Sequence, residues 1–428
     1  MTATPGARAY PRSVLSADVA VVGGGPAGVA ASVTLARAGR EVVLVDKARF
    51  PRDKACGDGL TTSALRRLEQ LGLRPAAVSS WQDVGDVRVR SPSGRTVAFP
   101  LPAGQGVFAA VARRRELDAA LLDLARAAGV KVYDGHGLTA ARCDPDAGSV
   151  VLEVDGIGPV AARYAIGADG MWSPLRKALG VADEPGYLGE WHAFRQYFGG
   201  VAEAAATQLW IWFEPDLLPG YAWSFPLAGG RANVGFGIQR RGGQPTAVMK
   251  QQWAELLARP HLRRVLGPAA APEGPHKAWP IPARIDRTAL SAAGGRALFV
   301  GDAARATDPM TGEGIGQALE TGVLAAEAVA SAGALAPASA AARYERAVRR
   351  SVAVDNRLAA LLSRALQHRK GVRGALRLAG ATAWTRGNFA RWLFEDYPRA
   401  VLATPHRWHR GVLTGPGAYR DGSAGAER

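Results

Sequence analysis

Residues 17–46 read ADVAVVGGGPAGVAASVTLARAGREVVLVD, and this stretch decides the fold. ADVAVV (17–22) predicts a short buried strand, and EVVLVD (41–46) predicts a second one. Between them, Pro26 is suited to the first position of a helix, which the pattern extends to about Arg37. A strand, a helix and a second strand in this order predict a βαβ unit with a parallel sheet.

Three glycines in this stretch are spaced as in a dinucleotide-binding turn. In Gly23-x-Gly25-x-x-Gly28 the first glycine allows a sharp turn, the second lets the backbone approach a pyrophosphate, and the third lets helix and strand pack closely. The helix N-terminus then faces the phosphates, and Asp46 can accept hydrogen bonds from ribose hydroxyls. The stretch therefore predicts a dinucleotide site, and it does not decide between NAD and FAD.

Two later segments favour a flavin. They are GADGMWSPLR (167–176) and GDAARATDPMTGEGI (301–315), and the second follows a predicted buried strand and opens a helix. Asp302 at that strand end can accept hydrogen bonds from ribityl or ribose hydroxyls, and the glycine-rich loop can place backbone N–H groups at flavin N1 and O2. Negative charge gathers there when the flavin is reduced, so the helix dipole favours the reduced form.

The composition of the 428-residue chain excludes several classes of protein. A hydrophobic fraction of 48% excludes wholesale disorder. Two cysteines, Cys56 and Cys143, cannot build a disulfide scaffold or a four-thiolate metal or iron–sulfur site, and such low usage fits a reducing compartment. His406 and His409 are close, but no carboxylate or thiolate shares their spacing, so no metal site is expected.

The net charge of +16 is concentrated near the end of the sequence. Residues 343–428 hold 17 Arg or Lys against 6 Asp or Glu, together with the aromatic residues Trp384, Phe389, Trp392, Phe394, Tyr397, Trp408 and Tyr419. This mixture suits an anionic membrane surface, and it suits nucleic acid less well because no nucleic-acid-binding signature is present. Residues 340–428 are therefore a candidate for peripheral membrane contact, and a solvated basic face is the alternative.

The sequence predicts neither export nor a membrane span. Residues 1–16 contain two arginines and two prolines but no apolar core, which predicts a loose N-terminal arm rather than a signal peptide. The most apolar stretch, about 18–36, is interrupted by glycines and a proline, so it predicts strand, turn and helix. The expected location is the cytoplasm, with peripheral contact at the inner face of the cell membrane as an extension of it.

The remaining pattern predicts a mixed α/β protein. The predicted elements are a helix at 61–71, strands across 84–99, a helix at 111–128, a strand at 130–133, a meander over 138–167, an aromatic-rich antiparallel sheet over 186–282, a strand at 296–301, a helix at 314–332 and a helical region from about 339. We expect a Rossmann-like cofactor-binding domain, an inserted antiparallel substrate domain and a basic C-terminal helical region.

The expected domain boundaries follow from these elements. The cofactor-binding domain takes 17–80, 106–180 and 291–338, the substrate domain takes the hairpin 81–105 and the sheet 181–290, and the C-terminal helical region takes 339–428.

Two further motifs carry a family resemblance. PRDKACGDGLT (51–61) resembles the cysteine-containing flavin loop of the geranylgeranyl reductase family, and PGYAWSFP (219–226) resembles that family's substrate-side motif, with Asn233-Val234-Gly235 as the next strand. Together with the segments above, these motifs resemble the FAD-dependent fold that the family shares with aromatic hydroxylases and flavin halogenases. Within the family, the motifs resemble the actinobacterial menaquinone side-chain reductases, and the resemblance covers about residues 17–330.

The resemblance implies FAD as the cofactor and an isoprenoid lipid, or another apolar small molecule, as the substrate. It assigns cofactor binding to Gly23, Gly25, Pro26, Ala27, Gly28, Asp46, Lys47, Arg114, Asp169, Gly301, Asp302, Pro309, Gly312, Gly314 and Ile315. It assigns the reactive face of the flavin to Cys56, Gly57 and Asp58, and substrate contact to Tyr221, Trp223 and Phe225. The electron donor is NAD(P)H or a reduced ferredoxin; no second GxGxxG is present for a separate nicotinamide domain.

Reduction of an isolated double bond requires a dry slot that holds the alkene about 3–3.5 Å from the hydride donor. Several aromatic residues over 191–226 could line such a slot, or could form the buried face of a sheet: Trp191, Phe194, Tyr197, Phe198, Trp210, Trp212, Tyr221, Trp223 and Phe225. Cys56 could act as a proton relay if Lys54 favours its thiolate, or it could be a small buried residue.

Two further functions compete with isoprenoid reduction. An FAD-dependent monooxygenase of an apolar or aromatic natural product would share the fold and the two flavin segments. A flavin-binding module that docks on membranes without turnover is a weaker alternative, because an aromatic pocket beside a flavin loop would then have no purpose.

Overall fold

The structure, a computed structural model, describes residues 14–182, 186–240, 246–333 and 336–420. Its strands are β1 (Leu15–Val22), β2 (Val42–Asp46), β3 (Gly59–Thr61), β4 (Gln82–Asp83), β5 (Asp86–Arg90), β6 (Thr96–Pro100), β7 (Ala109–Val111), β8 (Lys131–Asp134), β9 (Leu138–Asp144), β10 (Ser149–Val154), β11 (Gly158–Gly167), β12 (Trp191–Gly199), β13 (Leu209–Trp212), β14 (Tyr221–Leu227), β15 (Arg231–Gln239), β16 (Ala271–Ile281), β17 (Ser291–Ala292) and β18 (Ala297–Phe299).

The α-helices alternate with these strands at first and then follow them. They are α1 (Pro26–Arg37), α2 (Thr62–Leu71), α3 (Arg114–Ala127), α4 (Pro174–Ala178), α5 (Glu203–Thr207), α6 (Thr246–Ala258), α7 (Pro260–Leu266), α8 (Ile315–Ala332), α9 (Pro337–Arg350), α10 (Val352–Leu366), α11 (Arg369–Ala379) and α12 (Ala383–Leu393).

The predicted βαβ unit is the centre of an eight-stranded sheet. Strand β1 pairs in parallel with β2 on one side and with β11 on the other, and β18 continues the parallel order beyond β11. Val22 lies beside Gly167 in this register, and Gly167 lies beside Phe299. The carboxyl ends of β1, β2, β11 and β18 therefore meet at one edge, which brings the three predicted cofactor segments together although they are far apart in sequence.

Close approach of α1 to α8 holds this sheet edge in place. An added Cβ on Gly322 of α8 would lie 2.2 Å from the carbonyl oxygen of Ala27, and one on Gly28 of α1 would lie 1.8 Å from the carbonyl oxygen of Gly23. Only glycine permits both contacts, so the third glycine of the motif has the packing role that the sequence predicts.

A seven-stranded sheet forms the second layer, in the order β16-β12-β15-β14-β13-β5-β6. Its pairs are antiparallel except for β13 and β5, where the hairpin β5–β6 joins the sheet in parallel. Helices α6 and α7 pack on one face, and Trp253 of α6 contacts Phe194 and Phe236 at ring-centroid distances of 5.2 and 6.1 Å. The expectation of strand throughout 186–282 is wrong at these helices, whose apolar residues cover the outer face of the sheet.

The C-terminal helices complete the core of this second layer. Val372, Leu376 and Ala390 are buried with residues of β5 and β6, and the Phe389 ring lies 4.8 Å from that of Phe99. The expected helical region ends at Leu393, because residues 394–419 form turns and short 3₁₀ segments instead.

Smaller differences from the sequence analysis concern element ends. The predicted helix over 111–128 begins at Arg114, because residues 109–111 pair with β3 and β4 in a small third sheet. Residues 15 and 16 of the predicted N-terminal arm belong to β1, and residues 1–13 lie outside the described residues. No helix in the described ranges is long and apolar enough to cross a membrane.

Gly322→Ala tests the contact between α1 and α8. We expect the free energy of unfolding to fall by about 1–3 kcal/mol, because the added methyl group would overlap the backbone of Ala27. The matched control is Gly387→Ala in α12, where an added Cβ meets no described atom within 4 Å and the helix propensity of alanine should add up to about 1 kcal/mol. Urea unfolding measures both variants, and equal midpoints would contradict the close packing.

Candidate active site

A cavity of about 960 Å³ lies between the carboxyl edge of the eight-stranded sheet, the inner face of the seven-stranded sheet and the C-terminal helices. It is lined by most of the residues singled out from the sequence, namely Gly23, Gly25, Pro26, Ala27, Asp46, Lys47, Cys56, Gly57, Asp58, Arg114, Asp169, Tyr221, Trp223, Phe225, Gly301, Asp302, Gly312, Gly314 and Ile315. Gly28 and Pro309 are not part of the lining. Gly28 packs against Gly23, and the carbonyl of Pro309 accepts a hydrogen bond from Ser363 Oγ at 3.2 Å.

The glycine turn at one end of the cavity is fixed by Asp46. The Asp46 carboxylate accepts hydrogen bonds from Gly24 N at 2.7 Å and from Ala48 N at 2.8 Å. Gly23 has φ +111°, and an added Cβ there would lie 2.2 Å from the carbonyl oxygen of Ala168. The first turn of α1 therefore presents its unpaired N–H groups to the cavity, as an anion-binding helix N-terminus requires.

The polar lining fits a bound dinucleotide. Asp169 lines the cavity, and its Oδ1 is buried without a hydrogen-bond partner within the described part of the chain, while Oδ2 accepts from Leu175 N at 2.9 Å. Because a buried carboxylate oxygen is costly when unpaired, a donor such as a ligand hydroxyl would satisfy it. The residues present therefore fit FAD: the N-terminus of α1 would hold its pyrophosphate, and residues 301–315 would contact its flavin.

Lys54 is paired with a carboxylate that is distant in sequence, Asp302, rather than with Cys56. Its Nζ donates to Asp302 Oδ2 at 2.7 Å, and although burial opposes ionisation, Lys54 holds the pKa of Asp302 below its usual value. Burial raises the pKa of the Cys56 thiol despite the nearby Arg114 guanidinium. The expectation of a Lys54-stabilised thiolate is therefore wrong, and Cys56 is a neutral thiol at neutral pH.

Asp58 is the most densely hydrogen-bonded group of the flavin loop. Its carboxylate accepts from Tyr197 Oη at 2.7 Å, from Asn233 Nδ2 at 2.9 Å and from Arg114 N at 3.3 Å. Burial raises the pKa of Asp58 to about 6, against the lowering effect of the Tyr197 and Asn233 hydrogen bonds. Its φ of 65° is one that only few residue types adopt without strain, and the three donors hold it there.

Asn233 connects the substrate motif to the flavin loop. It accepts from Trp223 Nε1 at 3.1 Å and donates to the carbonyl of Cys56 and to Asp58, both at 2.9 Å. The sequence analysis counted Asn233 as part of a strand and did not assign it to the site. The available signal was an amide side chain at a fully buried position of β15, where polar side chains need a defined partner.

The three predicted substrate residues form one face of β14. The Tyr221, Trp223 and Phe225 rings follow one another at centroid distances of 6.0 and 5.9 Å, as alternate residues of a strand must. Added Cβ atoms on Gly57 and Gly59 would approach the Phe225 ring to 3.4 and 3.2 Å. The glycines of the loop thus let the aromatic face lie directly against the flavin side of the cavity.

The other aromatic residues of 191–226 divide between the two faces of the sheet. Trp191 lines the cavity, and Tyr197 binds Asp58. Four more belong to the opposite, helix-covered face: Phe194, Phe198, Trp210 and Trp212. Those four residues pack in the core and do not line the slot, because successive residues of a strand point to opposite faces of the sheet.

An apolar arm extends the cavity away from the flavin loop. Aliphatic and aromatic side chains of β5, β13 and the C-terminal helices line it: Val89, Leu209, Ile211, Phe213, Leu362, Leu366, Val372, Leu376, Phe389, Trp392, Leu393 and Phe394. Ala365 of α10 and Ala375 of α11 also line it and are exposed, so the arm opens to the surface between these helices. The arm was not predicted from the sequence, where the basic and aromatic residues beyond 340 indicated a surface.

The chain matches known proteins along nearly its whole length. The family model described as FAD binding domain matches residues 16–354. The menaquinone reductase of Mycolicibacterium smegmatis is 34% identical over 423 residues, covering 91% of this chain and 97% of that protein. A digeranylgeranylglycerophospholipid reductase of Methanothrix thermoacetophila is 30% identical over 321 residues, with 74% and 78% covered.

Solved structures show the same fold. A geranylgeranyl bacteriochlorophyll reductase-like protein of Thermoplasma acidophilum superposes with a TM-score of 0.75 at 20% identity. The match covers 92% of this chain and all of that one.

Asp58→Asn tests the burial of the flavin-loop carboxyl. The folded pKa of Asp58, about 6, lies above the unfolded value of about 3.9, so the folded wild type resists ionisation that the variant never undergoes. As the pH rises from about 4 to about 6, the free energy of unfolding of the wild type should fall relative to that of the variant by up to about 3 kcal/mol, and the difference should then stay constant.

Chemical unfolding at a series of pH values measures this difference. Asp146→Asn, at an exposed turn position, is the control and should give a curve parallel to the wild type. A parallel curve for Asp58→Asn as well would mean that Asp58 titrates at its ordinary value.

Proposed function

Because the chain belongs to the FAD-binding-domain family and, within it, to the geranylgeranyl reductase group, we propose that it reduces carbon–carbon double bonds of an isoprenoid chain. The observation that carries the proposal is the continuity of one cavity, which joins a dinucleotide cradle at α1 to an apolar arm between β5, β13 and the C-terminal helices. A cofactor and a long aliphatic substrate can therefore bind next to each other in one continuous cavity.

The residues of the cavity have separate tasks in this reaction. FAD, when bound, supplies the hydride. Cys56, Gly57 and Asp58 line the flavin end of the cavity, and the Trp223 and Phe225 rings of β14 pack against the same loop. These side chains would exclude water and hold the alkene close to the hydride donor, which is where most of the rate gain of such a site arises.

The substrate class follows from the arm and from the relatives. Both relatives described above carry names of isoprenoid-containing substrates, menaquinone and a digeranylgeranylglycerophospholipid. We infer that the tail of a menaquinone is the substrate of this chain, since the match with the menaquinone reductase extends over nearly the full length of both proteins. The electrons come from NAD(P)H or from a reduced ferredoxin.

A monooxygenase of an apolar or aromatic compound is the second candidate, since it would use the same fold. The length and aliphatic lining of the arm favour the reductase, because a compact aromatic substrate would leave the part between α10 and α11 unfilled.

The mouth of the arm supports contact with a membrane surface. Leu361 lies one helical turn from Ala365 on α10, and Leu378 lies three residues after Ala375 on α11, so both leucines flank the mouth; they are 60% and 75% exposed. Basic residues surround them on the same two helices: Arg364, Arg369, Lys370, Arg373 and Arg377. We infer that this surface docks on an anionic bilayer and takes the lipid chain directly from it.

The first test measures the mass of the lipid. Flavin in the purified protein is reduced with dithionite without oxygen, menaquinone is added, and the extracted lipid is analysed by mass spectrometry. We expect the tail to gain two hydrogens as the flavin is re-oxidised. A naphthoquinone without a chain controls for flavin oxidation by the quinone ring, and a product that gains oxygen only after air is admitted would favour the monooxygenase.

A pair of variants tests the role of the arm in tail saturation separately from the reactivity of the flavin. Ala375→Trp places a bulky side chain in the mouth of the arm and should slow tail saturation while leaving re-oxidation by the chainless quinone unchanged. Ala381→Trp, also exposed but outside the lining, should behave as the wild type.

The second test measures binding to phosphatidylglycerol vesicles by co-sedimentation. Deleting the C-terminal region is unsuitable because its helices belong to the core, so the variant is Leu361→Glu/Leu378→Glu. We expect binding at least about tenfold weaker, since two exposed leucines lose their burial in the bilayer. Leu188→Glu, an exposed leucine outside the C-terminal helices, is the control, and equal binding by both variants would contradict docking at the mouth.

A further inference from the structure

A second cavity lies behind the turn that opens α8. Its volume is about 270 Å³, and its lining is polar, with Gly316, Gln317, Glu395 and Arg399 among its residues. Residues 313–315 of the same turn line the larger cavity. One turn of backbone therefore separates the flavin cavity from the second cavity.

Glu395 bridges this wall through hydrogen bonds. On the side of the second cavity its carboxylate accepts from Gln317 Nε2 at 3.0 Å and from Arg399 Nη2 at 3.1 Å. It also accepts from Thr61 Oγ1 at 3.2 Å, and Thr61 lines the flavin cavity. Glu395 therefore lies in the wall between the two cavities, hydrogen-bonded to residues that line each of them.

Among the described residues, one arginine, Arg399, is paired with two of the three carboxyl groups Asp308, Glu313 and Glu395. Arg399 binds Asp308 at 2.8 Å and also binds Glu395, while Glu313 lines the flavin cavity and accepts from Gly316 N at 2.9 Å. Burial and the charge of Glu395 raise the pKa of Glu313, and burial raises the pKa of Glu395 despite Arg399. The two glutamates therefore retain a proton between them at neutral pH.

We propose that Glu395 and Glu313 form a proton relay from the second cavity into the flavin cavity, and that Glu313 protonates the second carbon of the reduced double bond. This inference rests on the proposed function. The double bond takes a hydride from the reduced flavin at one carbon and a proton from Glu313 at the other, so its π bond breaks and two C–H bonds form. The Glu313 carboxylate then regains a proton from Glu395, which takes one from water in the second cavity.

A relay of this kind is needed because the arm is occupied during the reaction. An isoprenoid chain that fills the arm excludes water from that side, so a proton must arrive by another route. Glu313 is the catalytic acid in this scheme, and Glu395 acts through it.

The experiment compares one turnover with many, using the FAD-loaded protein, dithionite as reductant and menaquinone as substrate. Glu313→Gln should lower tail saturation about 100-fold even in a single turnover. Glu395→Gln should leave the single turnover near that of the wild type, because Glu313 already holds a proton, but should slow repeated turnover at least about tenfold and give it a solvent deuterium isotope effect. Glu320→Gln is the control, since Glu320 also lines the second cavity but pairs with Arg67.

A second readout does not depend on the substrate. Infrared difference spectra between about pH 7 and pH 9, above the titration of Asp58, should show a protonated carboxyl band that titrates above the ordinary glutamate range and is weaker in Glu313→Gln, where only Glu395 of the pair remains. A wild type without this band, or repeated turnover by Glu395→Gln as fast as by the wild type, would overturn the relay alone. A wild type that saturates no chain would overturn the proposed function and the relay together.

Discussion

The buried carboxylate of Asp58 is the contact on which the geometry of the site depends. It belongs to the flavin loop, but two of its donors, Tyr197 and Asn233, belong to the seven-stranded sheet, and the third is the first residue of α3. A buried carboxylate that loses its donors costs several kcal/mol, so these elements keep one relative position. The packing of the glycine loop against Phe225 is thereby fixed before any ligand binds.

Buried charged groups that need partners also fix the conformation of the C-terminal region. Arg399 is buried and pairs with Asp308 and Glu395, Arg391 pairs with Asp396, and Arg407 pairs with Asp355. These arginines contribute to the positive charge that the sequence shows near its end, yet they form ion pairs inside the structure. Arg399 joins the region to Asp308 of the flavin-binding layer, and Arg391 and Arg407 pair with carboxylates of the region itself. The exposed basic residues of α10 and α11 flank the mouth of the arm, and the proposed docking surface is therefore placed there.

Local motifs predict the glycine turn at the end of the cavity that is formed by α1. The turn at Gly23 and the packing of Gly28 follow from the spacing of the glycines, because each requirement acts within one βαβ unit. The partner of Lys54 could not be found in this way, since Asp302 lies 248 residues away and reaches it only through the order of strands in the sheet. The apolar arm was missed for a related reason, as it exists only where the C-terminal helices meet β5 and β13.

Two cavities of opposite character lie on either side of the turn that opens α8, and the proposed reaction uses both. A hydride transfer to an isolated alkene needs a dry, apolar environment, whereas the second half of the same reaction needs a proton from water. The arm between α10 and α11 meets the first need with aliphatic side chains, and the second cavity, with Glu395 at the wall, meets the second. Because the turn at the start of α8 separates the two cavities, a substrate that fills the arm does not fill the second cavity.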